Sequence, residues 1–347
     1  MFKKTLIAMF ALVALVVPAA ASAASNTGAV VFSKSSKVGD EMKGGLFAVK
    51  EGHLNQLTED ATDTEPNFSP DGRTIAFARG GDIYSVRPDG SGQRQLTIGP
   101  EVDSLPKIAP NGRYLVFERR GALGGPSTLY SVRVTGGGLH GIVTSGDNRE
   151  VAFSPDGKTI VFVRATPTGG DANDDLYSVR PNGSSQKRLT RTAVDEFAPR
   201  FFAGGIIYGR GESSPGPSAY ADIYTMRIDG TKVKPQVRGV GSAYVEDVSP
   251  NGKLLIFRRD QGLWEKQIGN TKARKLSQLP DQSETTSVFS SDGKRVAAFV
   301  QVEDQQQLVS INVENRRQAE LASGHDFDEG EGTVLGPVMD WQPTPQH

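Results

Sequence analysis

Apolar positions in this chain come in short bursts separated by turn residues, and the same burst keeps returning. Residues 64–97 show one complete unit. Pro66-Asn67-Phe68 reads as a short strand, and Ser69-Pro70-Asp71-Gly72 as a tight turn in which proline presets φ and Asp-Gly suits the remaining positions. Thr74–Ala78 is almost continuously apolar, as a strand covered on both faces should be. Asp82–Arg87 is a third strand, and Asp89-Gly90 signals a hairpin. Gln93–Thr97 is a fourth, more polar strand suited to an outer rim.

The turn recurs as Ala109-Pro110-Asn111-Gly112, Ser154-Pro155-Asp156-Gly157, Ser249-Pro250-Asn251-Gly252 and Ser290-Ser291-Asp292-Gly293, with a worn copy at Phe202-Ala203-Gly204-Gly205. The steps between first residues are 40, 45, 48, 47 and 41. A period in the forties made of short strands is the mark of a β-propeller. The third strand recurs too, with Tyr84, Tyr130, Tyr177 and Tyr224 at steps of 46, 47 and 47. These tyrosines are expected to pack between neighbouring blades rather than to stack a ligand.

Fourth strands ending at Thr58, Thr97, Thr144, Thr190, Arg238, Ser277 and Ala322 number seven. The first unit lacks an opening strand, and Val338–Pro343 supplies one, with Trp341 matching Phe68. The expectation is an all-β chain forming a single propeller of seven four-stranded blades, closed by its C-terminal strand. Six or eight blades remain as alternatives.

The Pro-x-Phe-Ser-Pro-Asp-Gly-x-x-Ile-x-Phe pattern of residues 66–77 resembles the TolB-type, WD-like propeller repeat of exported bacterial proteins. The resemblance covers essentially the whole chain after residue 23. The family's namesake carries a small α/β domain before a six-bladed ring, and here the repeats begin almost at once. Similar repeats stand beside the hydrolase domain of prolyl-peptidase-like enzymes and in a pectic-oligosaccharide lyase. The resemblance specifies the repeat far more closely than the activity.

The N-terminus changes the picture of location. Lys3-Lys4, an apolar run from Leu6 to Val17 and the Ala21-Ser22-Ala23 site read as a cleaved signal peptide at 1–23, leaving the propeller at 24–347. The run is too short to span a bilayer, which needs about 20 residues. A periplasmic or secreted protein is expected, stabilised without disulfides because there is no cysteine. Removing the signal takes the formal charge from −1 to −3. That near-neutral value argues against a nucleic-acid partner. A monomer is expected.

Charge is sorted by face. The first-to-second and third-to-fourth turns share one face, which carries Arg73, Arg113, Lys158, Lys253 and Lys294. The blade connections and second-to-third loops share the other, which is acidic. Its binding candidates are Asp63, Glu65, Asp103, Glu150, Asp195, Glu196, Tyr220, His325, Asp326, Asp328 and Glu329. Carboxylates of one sign on one face would attract a cation or a basic peptide. Asp326, Asp328 and Glu331 could offer oxygens to calcium, although the spacing is not that of an EF-hand loop. Long second-to-third loops at Lys34–Gly44, Arg119–Ser127, Ala165–Asp174 and Gly209–Ala221 add to this face.

Catalysis finds little support. No Gly-x-Ser-x-Gly elbow is present, and the histidines His53, His140, His325 and His347 are scattered. The expected function is an exported, non-catalytic binding or scaffolding propeller. It would engage a protein, peptide or cell-envelope partner through the acidic face. The alternative is a carbohydrate-active enzyme or sugar binder that uses the central funnel.

Overall fold

The computed structural model describes residues 28–168, 171–211, 220–239, 241–279, 287–302, 305–322 and 331–343. They form seven four-stranded antiparallel sheets. Blade 1 orders its strands as Glu331–Trp341, Val30–Val38, Glu41–Lys50 and His53–Gln56. The other six blades each take four consecutive strands. Their innermost strands are Thr64–Phe68, Val102–Ile108, Asp147–Phe153, Asp195–Phe202, Ala243–Val248 and Val288–Phe289.

The C-terminal strand therefore closes the ring. Trp341 lies opposite Val30, and its indole N–H donates to the Gly28 carbonyl at 2.9 Å. The Gln342 side-chain amide donates to the Gly72 carbonyl of blade 2 at 2.8 Å, tying the seam to its neighbour.

The repeated turn folds the same way wherever its residues are intact. The glycine N–H donates to the carbonyl three residues back in blades 2, 3, 4, 6 and 7. Glycine φ stays between 66° and 68° at Gly72, Gly112, Gly157, Gly252 and Gly293. That left-handed conformation is why glycine recurs. Ser69 donates to Asp71 at 2.6 Å and accepts the Thr74 N–H at 2.9 Å, and Ser154, Ser249 and Ser290 repeat the clasp. In blade 5 the worn copy makes a tighter hairpin, with Phe202 opposite Gly205. Its Ala203 N–H instead reaches the Gly252 carbonyl of blade 6.

The core is a set of slabs between blades. Val31, Leu46 and Ala48 of blade 1 meet Ile75 and Phe77 of blade 2. Val30 and Phe32 turn the other way, onto Ala297 and Phe299 of blade 7. Alternate residues of each second strand thus face opposite neighbours, which explains the continuous apolar runs. The tyrosine series packs as expected. Tyr84, Tyr130, Tyr177 and Tyr224 stand half-buried against these slabs, 5.8–6.3 Å from Phe77, Phe117, Phe162 and Tyr208.

Two of the expected long loops are corrected. Lys34–Gly44 and Ala165–Asp174 are largely strand. Blade 1 stays paired out to Val38 opposite Glu41, and blade 4 out to Thr168 opposite Asp171. The backbone ladder continues past the packed region, where side chains need no apolar alternation and the sequence carries no strand signal. A third long hairpin, Arg295–Val302 with Gln305–Asn312, projects from blade 7. Of Gly209–Ala221, residues 212–219 lie outside the described residues.

Candidate functional site

The innermost strands surround a central channel of about 750 Å³. One position of each strand points into it, the residue just before the bulky apolar residue that opens the ladder to the second strand, or in blade 5 just before Phe201, one residue short of that opening. Around the ring this position reads Asp340, Asn67, Lys107, Ala152, Arg200, Asp247 and Val288, from blade 1 to blade 7. All seven are half-buried.

Where this residue can accept a hydrogen bond, it clips the next blade. Asp340 accepts the Phe68 N–H at 2.7 Å, Asn67 the Ile108 N–H at 2.8 Å and Asp247 the Phe289 N–H at 2.9 Å. The two cations are not neutralised in this way. Arg200 donates to the adjacent Pro199 carbonyl at 3.0 Å. Among the described residues no carboxylate comes within 4 Å of Lys107 or Arg200. Burial and then the Arg200 charge press the Lys107 amine towards its neutral form, and Asp340, Glu65 and Asp247 oppose them. Burial pushes Asp247 up and Asp340 up to about 6.

A second tier lies beside this ring. Glu65, Leu105, Glu150 and Ala198 have φ of 58°, 52°, 58° and 49°, each at a bulge in its innermost strand. A bulge turns an N–H out of the ladder, and that donor must be satisfied. Glu65 accepts the Leu105 N–H at 2.5 Å, and Glu150 accepts the Ala198 N–H at 2.5 Å. Blade 3 has Leu105 where an acid is needed, so Glu118 on its second strand accepts the Glu150 N–H at 2.8 Å. Burial raises all three carboxyls, Glu118 to about 7.

Asp63, Asp103 and Glu196 are buried internal partners rather than surface charges. Asp63 takes Arg79 at 2.6 and 2.8 Å, Asp103 takes Arg119 at 2.7 and 2.8 Å, and Glu196 takes Arg210 at 3.1 Å. Each arginine also lies over two rings of its blade, such as Arg79 over Phe77 and Tyr84 at 5.2 and 5.0 Å. The threonine closing the preceding outer strand completes the clamp, through Thr58 to Asp63 and Thr190 to Glu196. In blade 4 Asn148 replaces the acid and receives Arg164 at 2.6 Å.

Asp195 is half-buried and accepts the Asp174 N–H at 3.1 Å. Tyr220 is exposed just before the blade 5 strand Ala221–Met226. His325, Asp326, Asp328 and Glu329 lie outside the described residues. Glu331 begins the closing strand opposite Lys37. Among the described residues no group of three or more histidines or acids could hold a metal ion.

Sequence reasoning missed the channel ring and the clamp arginines. The signal for the ring was the variable residue inside each Pro-x-Phe pattern. For the clamp it was an arginine two positions after the second-strand aromatic, at Arg79, Arg119, Arg164 and Arg210.

Known proteins share this architecture. The chain is 40% identical over 58 residues to dipeptidyl-peptidase 5 of Porphyromonas gingivalis, a segment covering 16% of this chain and 8% of that protein. Among solved structures it is similar to TolB from Acinetobacter baumannii (TM-score 0.55, 14% identity, 90% of this chain and 82% of that one). It is also similar to an oligogalacturonate lyase in complex with manganese (TM-score 0.64, 13% identity, 79% and 86%). These structural likenesses establish the fold alone. Residues 20–198, just over half the chain, match the TolB beta propeller domain. The chain belongs to the TolB beta propeller domain family.

Proposed function

We propose that this is an exported, non-catalytic binding propeller that engages a protein or peptide partner of the cell envelope or its surroundings. The face bearing the blade connections and long hairpins makes the contact. One observation carries the reading. Among the described residues, six of the nine strongly exposed large apolar side chains, Val38, Met42, Ile98, Val102, Leu123 and Tyr220, belong to connections and second-to-third hairpins and so share this face. Leu123 and Ile98 are the most exposed of these, at 104% and 81%. Apolar side chains gathered on one face favour a protein contact.

The acidic character of the face contributes less than its composition suggests, because Asp63, Asp103 and Glu196 are spent on internal clamps. The rigid blades would present the contact residues at low ordering cost.

The test is photo-crosslinking from Leu123 and Ile98 in envelope extract, with Leu139 on the opposite face as control. A saturable adduct from the first two positions, lost in the Leu123→Ser/Ile98→Ser variant, supports the proposal. Adducts from Leu139 alone, or none from any position, overturn it.

A further inference from the structure

The channel ring has an arrangement that the blade architecture does not require. Lys107 and Arg200 stand on blades 3 and 5, flanking the small Ala152 of blade 4. Asp247 and Asp340 stand on blades 6 and 1, flanking the uncharged Val288 of blade 7. At this ring position the positive sector is thus centred on blade 4 and the negative sector on blade 7, with the Glu118 and Glu150 carboxyls, which burial presses towards the neutral form, lining the channel beside blade 4. Three blades apart is the greatest separation that a ring of seven permits. We propose that the channel is a binding site for a small organic zwitterion, an ammonium and a carboxylate held apart on one extended molecule such as a short peptide with free termini. This inference is independent of the partner-binding face.

Charge complementarity selects this ligand class. A simple anion drawn to Lys107 and Arg200 would share the channel with Asp247 and Asp340, and a simple cation would meet the reverse problem. Only a ligand with opposite charges at its two ends satisfies both sectors. The cations remain available, since no carboxylate comes within 4 Å of either among the described residues. Backbone N–H groups hold the acids in place. Asp247 accepts from Val248 and Phe289, and Asp340 from Trp341, from Phe68 and from the Asn67 side-chain amide at 3.0 Å. An ionised carboxylate has about four acceptor sites, so each keeps capacity for an ammonium. Acids fixed in advance cost little to order on binding.

Space agrees with the charge pattern. A channel of about 750 Å³ falls within the ~300–1,000 Å³ of ordinary small-ligand sites. Ala152 and Val288 leave the middle of each sector without a long side chain, so a ligand end can reach between the flanking charges. Burial and the Arg200 charge both disfavour the Lys107 ammonium, and a carboxylate seated between them would relieve that repulsion.

The experiment is calorimetric titration of the intact chain with triglycine, N-acetyltriglycine and triglycine amide, each to about 10 mM, a range that registers even weak complexes. Triglycine is expected to bind, and blocking either end to weaken binding by at least about tenfold. The Lys107→Gln/Arg200→Gln variant is expected to bind triglycine and its amide equally. The Asp247→Asn/Asp340→Asn variant is expected to lose the distinction between triglycine and its N-acetyl form. No heat from triglycine, or equal binding of all three peptides to the unmodified protein, overturns the proposal. Because the blocked peptides probe that unmodified protein, the proposal stands or falls even where a variant folds poorly.

Discussion

Two positions only a few residues apart in each repeat behave in opposite ways. The glycine of the turn is the same residue with nearly the same φ in blades 2, 3, 4, 6 and 7. The channel position five residues earlier in those blades is asparagine, lysine, alanine, aspartate and valine. Both are equivalent by strand register. One is held uniform because the turn admits only one backbone conformation without strain. The other faces the channel, where only Asp340, Asn67 and Asp247 take on a clip to the next blade. The same contrast separates the Arg-aromatic clamps, repeated in blades 2, 3, 4 and 5, from the ring of mixed charge. Positions that repeat build the wheel, and the position that varies is free to carry specificity.

The largest effect is expected from cutting a clamp. Asp63→Ala leaves Arg79 over its rings with only the more exposed Asp60 carboxylate at 3.7 Å and should cost about 3 kcal/mol, read by urea denaturation. Asp63→Ala combined with Arg79→Met should recover part of that loss. Full additivity of the two single losses would mean that the pair is not a unit.

Glu118 binds its proton more tightly in the folded chain than in the unfolded one, because burial raises its carboxyl from 4.5 to about 7. Its contribution to stability is therefore greatest below pH 4.5, falls as pH rises from there through about 7, and is flat above that. Glu118→Gln keeps an acceptor for the Glu150 N–H and should remove a slope worth up to about 3 kcal/mol. Melting curves at pH 5 and pH 8 that change equally in both proteins would contradict the assignment.

Glycine substitution separates strain from collision. Gly112→Ala meets open space and should cost only the left-handed strain, about 1–2 kcal/mol. Gly252→Ala places its Cβ 2.3 Å from the Ala203 backbone nitrogen of blade 5, so it should cost at least twice as much. Equal losses in thermal denaturation would show that the blade 5 hairpin yields freely.

The smallest effect is expected in the ring itself. Lys107→Met removes a half-buried cation that has no ion pair among the described residues. Stability should change by less than about 1 kcal/mol, in either direction. A large loss would make Lys107 a structural residue and erase the contrast.

Much of this was legible beforehand. The Ser-Pro-Asp-Gly series, the apolar second strands and the Trp341 strand specified blade number and closure, because turn chemistry and two-sided burial leave direct marks on residue type. The acids were visible but their roles were not. Asp63, Glu65 and Glu150 all read as face charges, yet the first binds Arg79 and the other two satisfy bulge N–H groups of the following blade. Those partners lie 16 to 48 residues away. Composition cannot reveal which way a bulged strand aims its side chain.

By itself, then, the sequence determined the period, the strands, the turns and the closing of the ring, since each follows from local conformation and apolar patterning. Only the tertiary structure decided which charges are neutralised within the wall and which face the channel. Lys107 and Arg200 are separated by 93 positions from each other and by more from Asp340. Their place in one ring with Asp247 follows from the circular packing of blades, a long-range geometry that no short stretch of residues encodes.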